Sequence, residues 1–139
     1  IMMQAEPRLG TPSYAQGWGP EVGWKDRATT YQMGQKTSVP AGNFEDVLII
    51  KESAHGELDA EQLKYYAPGV GNVRVGWTGS ELKAREVLEL IKVEQLSPEE
   101  LADIRDKALK LEKSAYQQSK EVYAHTPPAM ANGAGPKAR

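Results

Sequence analysis

The two histidines are the side chains best suited to acid–base or metal chemistry, and their spacing indicates neither. His55 falls in a polar stretch, and His125 follows 70 residues later. A local zinc motif such as His-Glu-x-x-His places two imidazoles on one helix face, and this sequence has no such spacing. It also has no Gly-x-Ser-x-Gly elbow that would present a nucleophilic serine. We therefore predict two surface histidines, no metal site, no cofactor and no enzymatic activity.

Two further patterns resemble ligand-binding motifs without their full spacing. Glu57, Asp59 and Glu61 alternate beside Gly56, and carboxylates suit calcium, but the calcium loop that ends in a bidentate glutamate is absent. The run Gly69-Val70-Gly71 lacks the third glycine of a dinucleotide fingerprint, and no helical pattern follows it. We predict a hydrated acidic loop at the first position and a chain reversal at the second.

Aromatic residues are the remaining candidates for a site. Trp18 and Trp24 are interleaved with glycine and proline in residues 1–24, so they either anchor a loop or form a platform for a flat ligand. Neighbouring residues of a strand point to opposite faces, so one of Tyr65 and Tyr66 should join the core while the other faces outward. Our candidate ligand-binding residues are Trp24, Tyr66 and Trp77, and the alternative is that they pack in the core.

Composition limits the possible classes of protein. A chain of 139 residues with 40% hydrophobic and 26% charged residues fits one ordinary globular domain. A net charge of −2 provides no positive field for nucleic acid. The absence of cysteine excludes disulfides, thiolate metal sites and a cysteine nucleophile. No apolar run is long enough for a transmembrane segment.

Apolar alternation predicts five strands. They cover residues 25–36, 44–52, 62–67, 72–78 and 85–95. Residues 47–50 (VLII) are apolar on both faces, which indicates a central strand that is covered on each side. Because the connections are short, we predict an antiparallel meander.

A helix follows the strands. Ser97, Pro98 and Glu100 form the pattern of an N-cap, a first helical residue and a capping box. The helix should carry an apolar stripe at spacings of three and four residues, which consists of Leu101, Ile104, Ala108, Leu111 and Ala115. We expect the helix to end between Lys113 and Ser119 and its stripe to pack on the sheet or on a partner chain.

These elements define an α+β fold with four segments. We predict an irregular aromatic segment over residues 1–24, an antiparallel β-sheet domain over 25–95, an amphipathic helix over 96–120, and an extended or disordered tail over 121–139. The tail lacks apolar periodicity, and we expect it to dock on a neighbouring chain.

Two segments carry a resemblance to a known group. Residues 39–48 (VPAGNFEDVL) and residues 63–71 (LKYYAPGVG), followed by a strand near 86–93, resemble a group of bacterial exported proteins and lipoproteins with the pattern PxGxFxxVL…KYYAPGVG. The resemblance covers about residues 1–95 and implies an exported domain with a curved antiparallel sheet, related to periplasmic lipoprotein-carrier folds. It implies no established activity and no catalytic residues.

The same resemblance bears on assembly. Residues 1–10 are similar to the middle of the group's domain, which implies that N-terminal strands precede this chain and that a sheet edge needs a partner. We therefore expect a non-enzymatic exported structural or interaction protein, a homo-oligomer or part of an assembly with a protein partner. The alternative is a periplasmic or cell-surface binding module that holds an apolar or aromatic ligand on a curved sheet.

Overall fold

The computed structural model describes residues 2–19, 23, 25–53, 59–80 and 85–124. Its elements are β1 (Tyr14–Ala15), β2 (Arg27–Val39), β3 (Gly42–Ser53), β4 (Ala60–Ala67), β5 (Gly71–Gly79), β6 (Leu88–Glu89), α1 (Pro98–Gln118) and α2 (Lys120–Tyr123). The six strands form one sheet in the order β1-β2-β3-β4-β5-β6, and each pair of neighbours is antiparallel. The predicted α+β meander is therefore confirmed.

The turn between β4 and β5 depends on glycine. Gly69 has a φ of 72° and Gly71 a φ of 101°, a region of backbone space that residues with a Cβ atom rarely enter. Pro68 precedes them in the loop, and the Val70 amide donates to the Ala67 carbonyl at 3.2 Å. The predicted chain reversal is confirmed.

The sheet has an apolar cluster on each face, and β3 contributes to both. We call the first face the one that carries Val47, Ile49, Ala67 and Val73, with Phe44, Leu63, Tyr65 and Leu90 packed against them. The second face carries Ala28, Ile50 and Tyr66, with Tyr14 and Leu48 packed against them. Burial of an aliphatic side chain such as Ile50, which is fully buried, contributes about 1.5–3 kcal/mol. The prediction of a central strand covered on both sides is confirmed.

Several β-bulges interrupt the regular pairing. Between β4 and β5, Tyr65 pairs with Arg74 while Tyr66 pairs with Asn72, so Val73 is an extra residue. Between β2 and β3 the register shifts at three places, and the first of these shifts leaves Tyr31 unpaired. Each bulge bends its strand and increases the local twist.

The predicted strand over residues 85–95 is wrong for most of its length. Only Leu88 and Glu89 pair with β5. The pairing ends at Leu90, because its amide and its carbonyl form hydrogen bonds with two different segments. Its amide donates to the Val73 carbonyl at 2.9 Å, and its carbonyl accepts from the Ala41 amide at 2.9 Å. The chain thus leaves β5 and reaches the β2–β3 turn, where the Leu90 side chain packs on the first face.

The predicted start and end of α1 are confirmed. The Ser97 hydroxyl accepts from the Glu100 amide at 3.2 Å, and the Glu100 carboxylate accepts from the Ser97 amide at 2.8 Å. Hydrogen bonding of the Glu100 carboxyl to the Ser97 backbone amide, and secondarily to the Ser97 side chain, lowers the pKa of that carboxyl. The helix ends at Gln118, within the predicted interval.

The chain divides into two compact units, residues 1–93 and 94–139. The boundaries of our four predicted segments stay a prediction. Residues 121–123, which we predicted as the start of the extended tail, belong to α2, and the Tyr123 ring packs on Tyr116 with their centroids 4.6 Å apart. The rest of the predicted tail, residues 125–139, lies outside the described residues.

Gly79 is the glycine whose replacement should damage the sheet most. A Cβ atom there would lie 2.0 Å from the Asp59 carbonyl oxygen, and its φ is 123°. We expect Gly79→Ala to lower the free energy of unfolding by about 2–4 kcal/mol in urea titrations. The matched control is Gly69→Ala, which has a positive φ but no atom within 4 Å of the added carbon, and should cost about 1–2 kcal/mol. Equal losses for the two variants would contradict the steric argument.

Candidate functional site

The second face of the sheet holds a buried carboxylate. Glu52 of β3 is only 8% exposed. The Gln16 side-chain amide donates to Glu52 Oε1 at 2.6 Å, and Lys64 Nζ lies 3.7 Å from Oε2. Burial of a charge costs free energy unless the charge is paired and hydrogen-bonded. The hydrogen bond from Gln16 and the positive charge of Lys64 therefore offset the cost of burying the Glu52 carboxylate.

Two tyrosines border this carboxylate, and their pKa values respond to it. Burial raises the pKa of Tyr66, and the negative charge of Glu52 raises it further. The same two causes raise the pKa of Tyr14. The Tyr14 hydroxyl donates to the Met2 carbonyl at 3.2 Å. The Tyr66 hydroxyl is buried and has no hydrogen-bond partner among the described residues.

The second face contains two more polar atoms of this kind. Thr30 Oγ1 and Trp77 Nε1 are buried without a hydrogen-bond partner among the described residues. Strand register places both on the face of Tyr66, since Thr30 pairs with Ile50 and Trp77 pairs with Gln62, two residues from Lys64. This face therefore concentrates buried polar groups that have no hydrogen-bond partner within the described part of the chain.

An open groove begins beside Tyr66. Its volume is about 440 Å³, and it is lined by the Tyr66 ring, by Met3, Asp46 and Leu48, and by residues 67–71 of the β4–β5 turn. The lining is mainly apolar, and the volume falls in the range of sites for small organic molecules. The groove can hold a flat or apolar ligand against the tyrosine ring.

The three candidate ligand-binding residues have different outcomes. Tyr66 lines the groove. Trp77 shares its face, but its partner Gln62 lies four residues before Tyr66 on β4, which is on the order of 13 Å along the strand. Trp24 lies outside the described residues. The structure thus places two candidates on one face and brings one of them to the groove.

The prediction for the tyrosine pair is half right. Tyr66 joins the core of the second face and is 9% exposed. Tyr65 does not simply face outward, because it packs against the cluster of the first face and lies under the Arg74 guanidinium, 5.4 Å from the ring centroid. Tyr66 is therefore a core residue, and Tyr65 is partly buried against the cluster of the opposite face.

The predicted acidic loop is described only in part. His55 and Glu57 lie in residues 54–58, and these and His125 are outside the described residues. The Asp59 carboxylate accepts hydrogen bonds from the amide and hydroxyl of Ser80, and Glu61 pairs with Lys51 at 2.8 Å. In the part of the chain that is described, no group of three or more histidine, aspartate or glutamate residues is arranged to hold a metal ion. Within the same residues, no helix is long and apolar enough to cross a membrane.

Among the described residues, exposed apolar side chains are concentrated in two stretches. In the extended stretch around β6, Val87, Leu88, Ile91 and Val93 are exposed, and Ile91 reaches 78%. In α1, Leu101, Ile104 and Leu111 are exposed, Leu111 to 73%. None of the 21 residues of α1 is buried. Exposed apolar patches of this kind are typical of interaction surfaces.

Comparisons with protein-family models, with curated proteins and with solved structures found no match for the chain. The resemblance to bacterial exported proteins therefore stays a prediction.

The unpartnered hydroxyl of Tyr66 makes Tyr66→Phe an informative variant. Removal of a buried hydroxyl that has no hydrogen-bond partner among the described residues should leave the free energy of unfolding unchanged or raise it by up to about 1 kcal/mol. Its pH dependence should also change. Because the pKa of Tyr66 is raised in the folded protein, this residue contributes stability that is present below the unfolded pKa of 10.0 and is lost as the pH rises through the folded pKa.

Urea titrations from pH 8 to pH 11 would measure both effects. The loss of stability above about pH 10 should be smaller in Tyr66→Phe than in the original chain. The control is Tyr14→Phe, which loses the hydrogen bond to Met2 and should be destabilised by about 0.5–1 kcal/mol at neutral pH. A destabilised Tyr66→Phe would show that its hydroxyl has a partner after all.

Proposed function

We propose that the protein is a non-enzymatic interaction protein that acts as part of an assembly, with the apolar stripe of α1 as its main contact surface. The stripe comprises the five residues predicted from sequence, Leu101, Ile104, Ala108, Leu111 and Ala115. One observation carries the proposal. The helix has an apolar side, and none of its residues is buried.

The energetics of an isolated helix support this proposal. Most of the stability of a helix in a protein comes from packing of its apolar face and not from the intrinsic helix propensity of its residues. Leu101, Ile104 and Leu111 are each at least half exposed, and full burial of such side chains contributes about 1.5–3 kcal/mol each. A partner that covers the stripe would therefore stabilise both the helix and the complex.

The other exposed stretch adds a second surface of the same character. Leu88, Ile91 and Val93 are exposed beside β6, which lies at one end of the strand order and pairs through only two residues. Sheet edges with exposed apolar residues are prone to pair with another chain. An exported location, in the periplasm or at the cell surface, belongs to the proposal and is supported by the sequence resemblance alone.

The mass of the native particle tests the proposal. Light scattering, combined with intact mass spectrometry of the chains, should give either a multiple of 15.3 kDa or a complex with a second polypeptide. Leu111→Glu should dissociate the particle, because it places a charge in the stripe. The matched control is Ala102→Glu, which adds the same charge at an exposed position off the stripe. A lone 15.3 kDa monomer, or an equal effect of both variants, would contradict the proposal.

A second candidate function is the binding of a small apolar or aromatic ligand. The observation that favours it is the groove of about 440 Å³ at Tyr66, on a face where Thr30, Tyr66 and Trp77 have buried polar atoms without partners among the described residues. Pockets with apolar walls and a few polar groups are typical ligand sites.

Indole is a suitable probe for this groove. In an amide NMR titration, indole should produce saturable shifts at Ala67 and at the glycines of the β4–β5 turn. Val70→Trp adds a ring at the groove wall and should abolish them, whereas Val87→Trp places the same ring at an exposed site that is not part of that wall. Unchanged indole binding by Val70→Trp would exclude this groove as the site.

A further inference from the structure

The apolar stripe of α1 follows a heptad repeat. Its five residues, Leu101, Ile104, Ala108, Leu111 and Ala115, are separated by three, four, three and four positions. In the heptad notation abcdefg, the a positions are 101, 108 and 115, and the d positions are 104, 111 and 118. This spacing is the seam of a two-stranded coiled coil, in which each a or d side chain enters a hole on the facing helix.

The residues that flank the seam carry complementary charges. Glu100 and Lys107 occupy g positions, while Arg105 and Glu112 occupy e positions. In a parallel pair of helices, a g residue approaches the e residue five positions later on the other helix. Glu100 would then meet Arg105 of a second copy, and Lys107 would meet Glu112. Both contacts join opposite charges. The two-fold symmetry of such a dimer would form each contact twice, once on either side of the seam.

The contact that Lys107 makes within its own helix is compatible with this arrangement. Lys107 Nζ binds Asp103 Oδ2 at 2.6 Å, and about two-thirds of each of these side chains is exposed. Such a surface pair contributes little to stability, so Lys107 can shift toward Glu112 of a second helix. Asp106 and Lys113 occupy f positions, on the side opposite the seam, and are exposed.

We propose that two copies of this chain associate through α1 as a parallel two-stranded coiled coil. The occupant of the stripe is a second copy because the four flanking charges complement themselves, with no other sequence required. This inference rests on the proposed function, since it names the partner of the same surface.

The absence of cysteine from the chain permits a clean crosslinking test with the full-length protein. Gln118→Cys places one thiol at the last d position, which is polar and exposed. In a parallel pair the two thiols face each other across the seam, within reach of a disulfide. Under a glutathione redox buffer, Gln118→Cys should form a covalent dimer at least about tenfold faster than the exposed f-position control Lys113→Cys.

Orientation is decided by the same variant. In an antiparallel pair aligned along the whole helix, the two thiols that Gln118→Cys introduces would lie at opposite ends, about 30 Å apart, and would not crosslink. Equal rates for Gln118→Cys and Lys113→Cys would overturn the proposal.

Charge exchange tests the flanking pairs independently. Glu112→Lys converts both of its intermolecular contacts to repulsion and should weaken the dimer about tenfold in sedimentation equilibrium. Addition of Lys107→Glu restores opposite charges and should return Kd to within about threefold of the original value. An unchanged Kd for Glu112→Lys, or no rescue in the double variant, would contradict the parallel pairing.

The failure of this inference is distinguishable from failure of the proposed function. If Leu111→Glu dissociates the particle while Gln118→Cys does not crosslink, the stripe is a contact surface in some other arrangement, and only the parallel coiled coil is excluded. If the original chain is monomeric and Leu111→Glu changes nothing, both are excluded.

Discussion

The need to cover both faces of one strand determines how the first unit of this chain is built. β3 presents Val47 and Ile49 to one face and Ile50 to the other, and all three are buried. A single sheet has no second layer against which its apolar faces can pack, so the segments that connect or flank the strands must cover those faces. On the second face, Tyr14 packs against the cluster that contains Ala28 and Ile50, and the Gln16 side chain donates to Glu52. The first face is closed by Leu90, which arrives from the opposite end of this unit.

The extra residue in β5, Val73, allows Leu90 to cover the first face. Because Val73 is not part of the regular pairing with β4, its side chain packs on the first face and its carbonyl accepts the Leu90 amide. A regular ladder would have continued β6 along β5. The bulge instead directs the chain across to the Ala41 amide, and Leu90 closes the cluster around Val47.

Signals that act over a few residues were sufficient for most of the fold. Alternation located β3, β4 and β5, and the Ser97–Glu100 capping box located the start of α1. The exception was residues 85–95. Apolar and polar residues alternate there, but only Leu88 and Glu89 form the hydrogen-bonded pairs of a strand. A bulge depends on which residues face each other across two strands, and nothing in the types of Tyr31 or Val73 indicates that they are unpaired.

The candidate site shows the same limit in a different form. Tyr66 was identified from its type and position, but Gln16, Glu52 and Lys64 were not. A signal for Glu52 was present, because a strand covered on both faces buries its polar side chains as well as its apolar ones. Lys64 shares a face with Tyr66 by alternation alone. The contact from Gln16, 36 residues away from Glu52, required knowledge of where the N-terminal segment lies.

The two units use their apolar residues in opposite ways. In the sheet unit, residues from separate segments bury one another, so its stability is internal to the chain. In α1, the capping box stabilises the first turn without any partner, while the stripe from Leu101 to Ala115 gains its stabilisation only when something covers it. Formation of the helix start is thus a property of the single chain, and under the proposed association the remaining turns would gain stability from the partner.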